Sequence, residues 1–104
     1  MGYKVIITDK AESQLDQFIY YILVELGNEQ AARNVLADAE QTKARLVNVA
    51  DSLKLCDNSR LCALGYRTIR FEHHRYLMVY RIDGNIVYVE GIYHELQDYE
   101  NYIK

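Results

Sequence analysis

The stretch that most constrains the fold is residues 76–93, YLMVYRIDGNIVYVEGIY. Two runs rich in aromatic and β-branched residues flank Asp83-Gly84-Asn85. A two-residue Asp-Gly or Gly-Asn link between such runs is a strong signal for an antiparallel hairpin. The run at 66–72 precedes it and ends at His73-His74, which reads as an exposed tight turn. The expected unit is thus a three-strand meander over 66–72, 75–82 and 86–93.

A meander with one apolar face needs a cover. Residues 3–8, YKVIIT, read as a short first strand. Asp9 then offers an N-cap oxygen, and Glu12 completes a capping-box-like pair. Leu15, Phe18, Ile19, Ile22, Leu23 and Leu26 follow at helical spacing, and Gly27 can end the helix in the left-handed region. Asn28 caps a second helix, whose apolar stripe is Ala32, Val35, Leu36, Ala39, Leu46, Val49 and Leu53. Arg33, Asp38, Glu40, Lys43 and Arg45 lie between them as a solvated face. The short Gly-Asn link predicts an antiparallel helical hairpin. Residues 54–65 read as the one long irregular segment, and residues 96–103 as a short closing helix. The expected fold is α+β, β-α-α-β-β-β(-α), with the hairpin on one face of a mainly antiparallel sheet. The whole of 1–104 is read as a single domain.

Half of the residues are hydrophobic, which suits a packed core and not a disordered chain. No apolar run approaches the ~18 residues of a membrane span. With no signal-peptide pattern at the N-terminus, a soluble cytoplasmic protein with no membrane partner is expected. Cys56 and Cys62 fit neither a C-x-x-C nor a zinc spacing, and read as free thiols. No metal and no cofactor are expected.

A net charge of −3 argues against coating nucleic acid by bulk electrostatics. Locally the balance reverses. Residues 66–81 hold Arg67, Arg70, Arg75 and Arg81 against Glu72 alone. Such a patch can grip a phosphate or an acidic partner segment. Strand parity carried across two-residue turns gives one apolar side, with Ile69, Phe71, Tyr76, Met78, Tyr80, Ile82, Val87, Val89, Gly91 and Tyr93, to be covered by helices. The other side collects Tyr66, Thr68, Arg70, Leu77, Val79, Arg81, Ile86, Tyr88, Glu90, Ile92 and His94. That side is expected to stay open as the working surface. A bulge would swap the faces.

Several segments carry a family resemblance. They are Leu64-Gly65-Tyr66-Arg67 entering the second strand, Tyr76-Leu77-Met78-Val79-Tyr80-Arg81-Ile82 in the third, and Ile92-Tyr93-His94 followed by Asp98-Tyr99. In this order, over essentially the whole chain, they resemble the RelE/ParE superfamily of toxins from bacterial type II toxin–antitoxin modules. The resemblance implies a toxin held by a cognate antitoxin that wraps it, in a possible hetero-oligomer. It implies one of two targets: DNA gyrase, poisoned without catalysis, or the ribosome with its mRNA, which is cleaved by a metal-independent endoribonuclease.

For cleavage, His94 or Glu90 would move protons, while Arg70 and Arg81 would stabilise charge on the phosphate. His94 stands where the YoeB-like ribonucleases carry a histidine. Leu77 stands where the ribonuclease branch keeps an arginine, which tips the expectation towards gyrase. Arg67, Arg70, Leu77, Val79, Arg81, Tyr88 and His94 are the residues expected to meet target or antitoxin. A family member that retains only antitoxin binding is the third reading. The bland roles are a salt bridge from Glu90 to Arg81 across the strands and a hydrogen bond from His94 to Asp98.

Overall fold

The computed structural model describes residues 2–103. The chain runs β1 (Lys4–Ile7), α1 (Asp9–Tyr20), α2 (Glu29–Val49), α3 (Ser59–Ala63), β2 (Arg67–Arg70), β3 (Tyr76–Asp83) and β4 (Ile86–His94). The sheet order is β1-β4-β3-β2, with β1 parallel to β4 and the other pairs antiparallel. The α+β architecture and the meander match the sequence reading. The Asp83↔Ile86 pairing leaves Gly84 and Asn85 as the two-residue turn, and Gly84 takes φ +62° there.

Helix starts reflect side-chain chemistry. Thr8, not Asp9, caps α1, with its side chain accepting from the Ala11 amide, and Asp9 falls inside the first turn. Asn28 caps α2 as expected, accepting from Ala31 at 3.0 Å, and Gly27 before it takes φ +61°. The segment read as irregular contains α3, capped by Asn58, and a bridge from Leu55 to Arg67. The expected closing helix is reduced to one 3-10 turn at Tyr99–Asn101.

Two departures reshape the molecule. First, α1 continues into a π-helical turn at Tyr21–Glu25. The wider turn rotates the end of the helix out of its α-helical register. Leu23 and Leu26, expected in the apolar stripe, are therefore exposed, as is Leu36 on α2. Second, β4 carries a bulge. Val79 pairs Gly91 and Tyr80 pairs Val89, so Glu90 is the extra residue. Beyond it every side chain changes face. Ile92 joins the helix-side core with Ile69, Phe71, Met78, Tyr80, Val87 and Val89. Gly91 and Tyr93 turn to the opposite face.

That opposite face is not open. Leu77, Val79 and Tyr93 are packed there against Cys56, Leu61, Tyr66 and Ile103 as a second core. Its cover is α3, its flanking loops and the C-terminal turn. The expectation of a bare sheet fails because the segment read as irregular, 54–65, and the one read as a closing helix, 96–103, both fold back over it.

Candidate functional site

The bulge decides which sequence-predicted residues can work together. Arg81 and Glu90 share the second face, with Arg81 Nε donating to Glu90 Oε2 at 2.7 Å. The Arg81 guanidinium also lies over the Tyr88 ring, 4.5 Å from its centroid. The hydrogen bond to Glu90 holds the Arg81 pKa up. The cross-strand salt bridge read from the sequence is thus present.

His94 is elsewhere. Its partner across the ladder is Tyr76, a helix-side residue, and the two rings meet edge-on at 5.5 Å. Its Nδ1 accepts from the Leu96 amide at 3.1 Å, and its own amide donates to Gln97 Oε1 at 2.8 Å. Gln97 thus takes the role expected of Asp98, whose carboxylate bonds Asn101 instead. His94 and Arg81 lie on opposite faces of the sheet, which corrects their grouping by parity.

Arg70 Nη1 donates to Glu95 Oε2 at 2.8 Å, and Arg75 Nε lies 3.6 Å from the other oxygen of that carboxylate. Arg67 donates to the carbonyls of Asp51 and Leu53, just past the end of α2. Asp51 belongs to the 3-10 turn that follows α2 and Leu53 to the extended link after it, so the Arg67 guanidinium ties the start of β2 to that link. Leu77 and Val79 are buried in the second core, contrary to the surface role expected of them.

Sequence reading missed a carboxylate network. Asp38, assigned to the solvated face, is 2% exposed. It accepts from the Glu72 amide at 3.2 Å, the His73 amide at 2.9 Å and His74 Nδ1 at 2.7 Å. Burial pushes its carboxyl up, but these hydrogen bonds together outweigh burial and hold it below the usual carboxylate range. His74 is therefore half-buried and pinned, not a free turn residue. No local pattern on α2 announces this, because the donors come from a turn distant in sequence.

The other missed feature is apolar. Tyr20, Tyr21, Leu23, Val24 and Leu26 are all exposed at the hairpin tip. A concavity of about 420 Å³, lined by Ile19, Leu23, Ala32 and Leu36 with Glu29 and Arg33 at its rim, adjoins them. A second, of about 290 Å³, lies between α1 and α2 over Ile7, Leu15, Met78 and Ile92, but Glu12, Asp16, Glu40 and Lys43 also line it, so it is mixed and not apolar. An exposed apolar tip of this size is a candidate interaction surface. The signal in the sequence is the run FIYYILV at 18–24, apolar on more sides than one core face requires.

Cys56 and Cys62 are free thiols. Burial pushes the Cys56 thiol up, away from reactivity. Among the described residues no three His, Cys, Asp or Glu side chains gather in a metal-binding arrangement. Among the same residues no helix is long and apolar enough to cross a membrane.

The fold is similar to a chain of the chromosomal ParDE toxin–antitoxin system from P. aeruginosa, with TM-score 0.73 and 21% identity over 88% of this chain and 95% of that one. At that identity the likeness speaks to fold alone. No curated protein matches the sequence. The family described as ParE toxin of the type II toxin-antitoxin system, parDE, matches residues 5–99. The match spans β1 to the C-terminal turn, and the chain belongs to the ParE toxin family, within the RelE/ParE superfamily.

Proposed function

We propose that this toxin arrests growth by binding DNA gyrase as a surface poison, and that its cognate antitoxin restrains it. One observation carries the choice of mechanism: the acid–base and cationic residues that the sequence offered for RNA cleavage, His94 with Arg81 and Glu90, are split between the two faces of the sheet. Acid–base catalysis on a phosphodiester requires proton donor, acceptor and cation within hydrogen-bond reach of one reacting centre. His94 is on the helix side, Arg81 is tied to Glu90 on the opposite face, and Arg70 is tied to Glu95. Leu77, in place of the arginine of the ribonuclease branch, is buried.

The antitoxin docks on the helical hairpin. The exposed tip and the concavity lined by Ile19, Leu23, Ala32 and Leu36 accept an apolar helical or extended segment and form a toxin–antitoxin hetero-oligomer. Gyrase places the action in the cytoplasm.

Controlled expression without the antitoxin should stop bacterial growth, and purified toxin should block gyrase supercoiling while ribosome-bound mRNA stays intact. New mRNA 5′ ends that vanish in His94→Ala, with supercoiling unaffected, reverse the reading to a ribosome-dependent endoribonuclease using His94, Arg70 and Arg81. Unimpaired growth identifies a member that keeps only antitoxin binding.

A further inference from the structure

The turn between β2 and β3 carries a feature the gyrase reading leaves unused. Arg70, His73, His74, Arg75 and Glu95 line one concavity of about 370 Å³, with Glu72 and Phe71 completing its wall. Two guanidiniums converge there on one carboxylate, one per oxygen: Arg70 on Oε2 and Arg75 on Oε1. The two arginine side chains are 73% and 74% exposed, while that of Glu95 is 23% exposed, so the carboxylate sits beneath two accessible cations.

The backbone around them is fixed. Arg45 donates to the Arg70 carbonyl at 3.2 Å, and the Glu95 amide donates to the Arg75 carbonyl at 2.9 Å. Asp38 holds the intervening turn through Glu72, His73 and His74. Arg45 also faces Glu72 at 3.6 Å, which draws that second carboxylate towards α2.

From this we infer that the β2–β3 turn is a receptor for a phosphate monoester, and that Glu95 is its built-in occupant. A guanidinium offers five N–H donors, and Glu95 engages one nitrogen of each arginine. A carboxylate from another molecule would bring the same charge and the same two oxygens as Glu95, without the advantage of being tethered. A phosphate monoester brings close to two negative charges and three acceptor oxygens. It can therefore displace Glu95 and engage N–H groups that Glu95 leaves idle, with the imidazoles of His73 and His74 at the same wall.

The test is amide NMR on the chain of residues 1–104 labelled with nitrogen-15. Inorganic phosphate should shift residues 70–75 and 95 saturably. Removing the competing charge with Glu95→Gln should tighten binding at least about threefold, and the double change Arg70→Gln with Arg75→Gln should weaken it about tenfold or more. A short 5′-phosphorylated oligonucleotide that shifts the same residues, when its unphosphorylated twin does not, identifies a nucleic-acid end as a source. If only inorganic phosphate binds, the site takes small phosphates. Equal binding of both oligonucleotides overturns the monoester assignment, because a backbone diester is then sufficient. Shifts that fail to saturate, or an affinity unchanged by Glu95→Gln, overturn the site itself.

Discussion

Two buried tyrosines set the two faces of the sheet side by side. On the helical face, Tyr80 is fully buried and its hydroxyl donates to the Ala50 carbonyl at 2.7 Å. Burial pushes its pKa up to about 12. On the other face Tyr93 is 2% exposed, its ring beside those of Tyr99 and Tyr102, and its hydroxyl has no hydrogen-bond partner among the described residues. The difference lies in the covers. The first face is closed by α1 and by the 21-residue α2, whose last turns bring Ala50 over the sheet. The second is closed by a five-residue helix and a single C-terminal turn, tied by Arg60 to the Glu100 carbonyl and by Lys10 to that of Tyr102. Buried hydroxyls without partners cost about 1–3 kcal/mol. The helical face is therefore expected to be the more stable half, and the strapped face the half that opens first.

The largest test of that contrast is Asp38→Ala. It removes the acceptor of three donors that tie the β2–β3 turn to α2. A loss of about 3 kcal/mol is expected, in the range for breaking a buried charged network. The effect has a pH signature. The folded pKa of Asp38 lies below its ordinary value. Its contribution is thus complete above the unfolded value of about 4 and is lost as pH falls through the folded one. Urea melts of the two proteins should differ most near neutral pH and converge below about pH 4. A constant difference down to pH 2 would contradict the role assigned to the carboxylate.

A somewhat smaller loss is expected for Gly91→Ala, on the strapped face. The Tyr93 ring lies so close over Gly91 that an added Cβ would collide with it. Overpacking of this sort costs about 1–3 kcal/mol. Because the ring must lift with its cover, near-ultraviolet circular dichroism and protease sensitivity of the C-terminal turn should change before the helices do. Loss of helical signal at the same denaturant concentration as the tyrosine signal would mean that the two faces melt as one.

The helical face was legible because its determinants are local. Asn28, Gly27 and the apolar spacing of α2 act within a few residues of themselves, and each was readable. The strapped face was not, because its determinants are relational. Glu90 becomes a bulge only through pairing that sets Val79 against Gly91 and Tyr80 against Val89. Nothing in IVYVEGIY announces it except the glycine, a residue that often marks such irregularities. One extra residue moved His94 away from Arg81 and Ile92 into the main core. Asp38 failed for the same reason, since its three donors come from a turn on the far side of the helix–sheet interface. The π-helical turn that exposes Leu23 and Leu26 likewise has no local sequence rule to reveal it.

The smallest effects make the sharpest comparison. Tyr80→Phe leaves the Ala50 carbonyl without its side-chain donor in the dry helical core and should cost about 1 kcal/mol. Tyr93→Phe removes a hydroxyl that has nothing to lose, so the unpaired dipole disappears while the ring keeps its place beside Tyr99 and Tyr102. It should be neutral or stabilising, by up to about 1 kcal/mol. Equilibrium unfolding of the two variants beside the parent measures this directly. The same chemical change, one oxygen removed from a buried tyrosine, then carries opposite signs on the two faces. Equal losses in both would mean that Tyr93 finds a partner in solution, and the strapped face would be as well satisfied as the helical one.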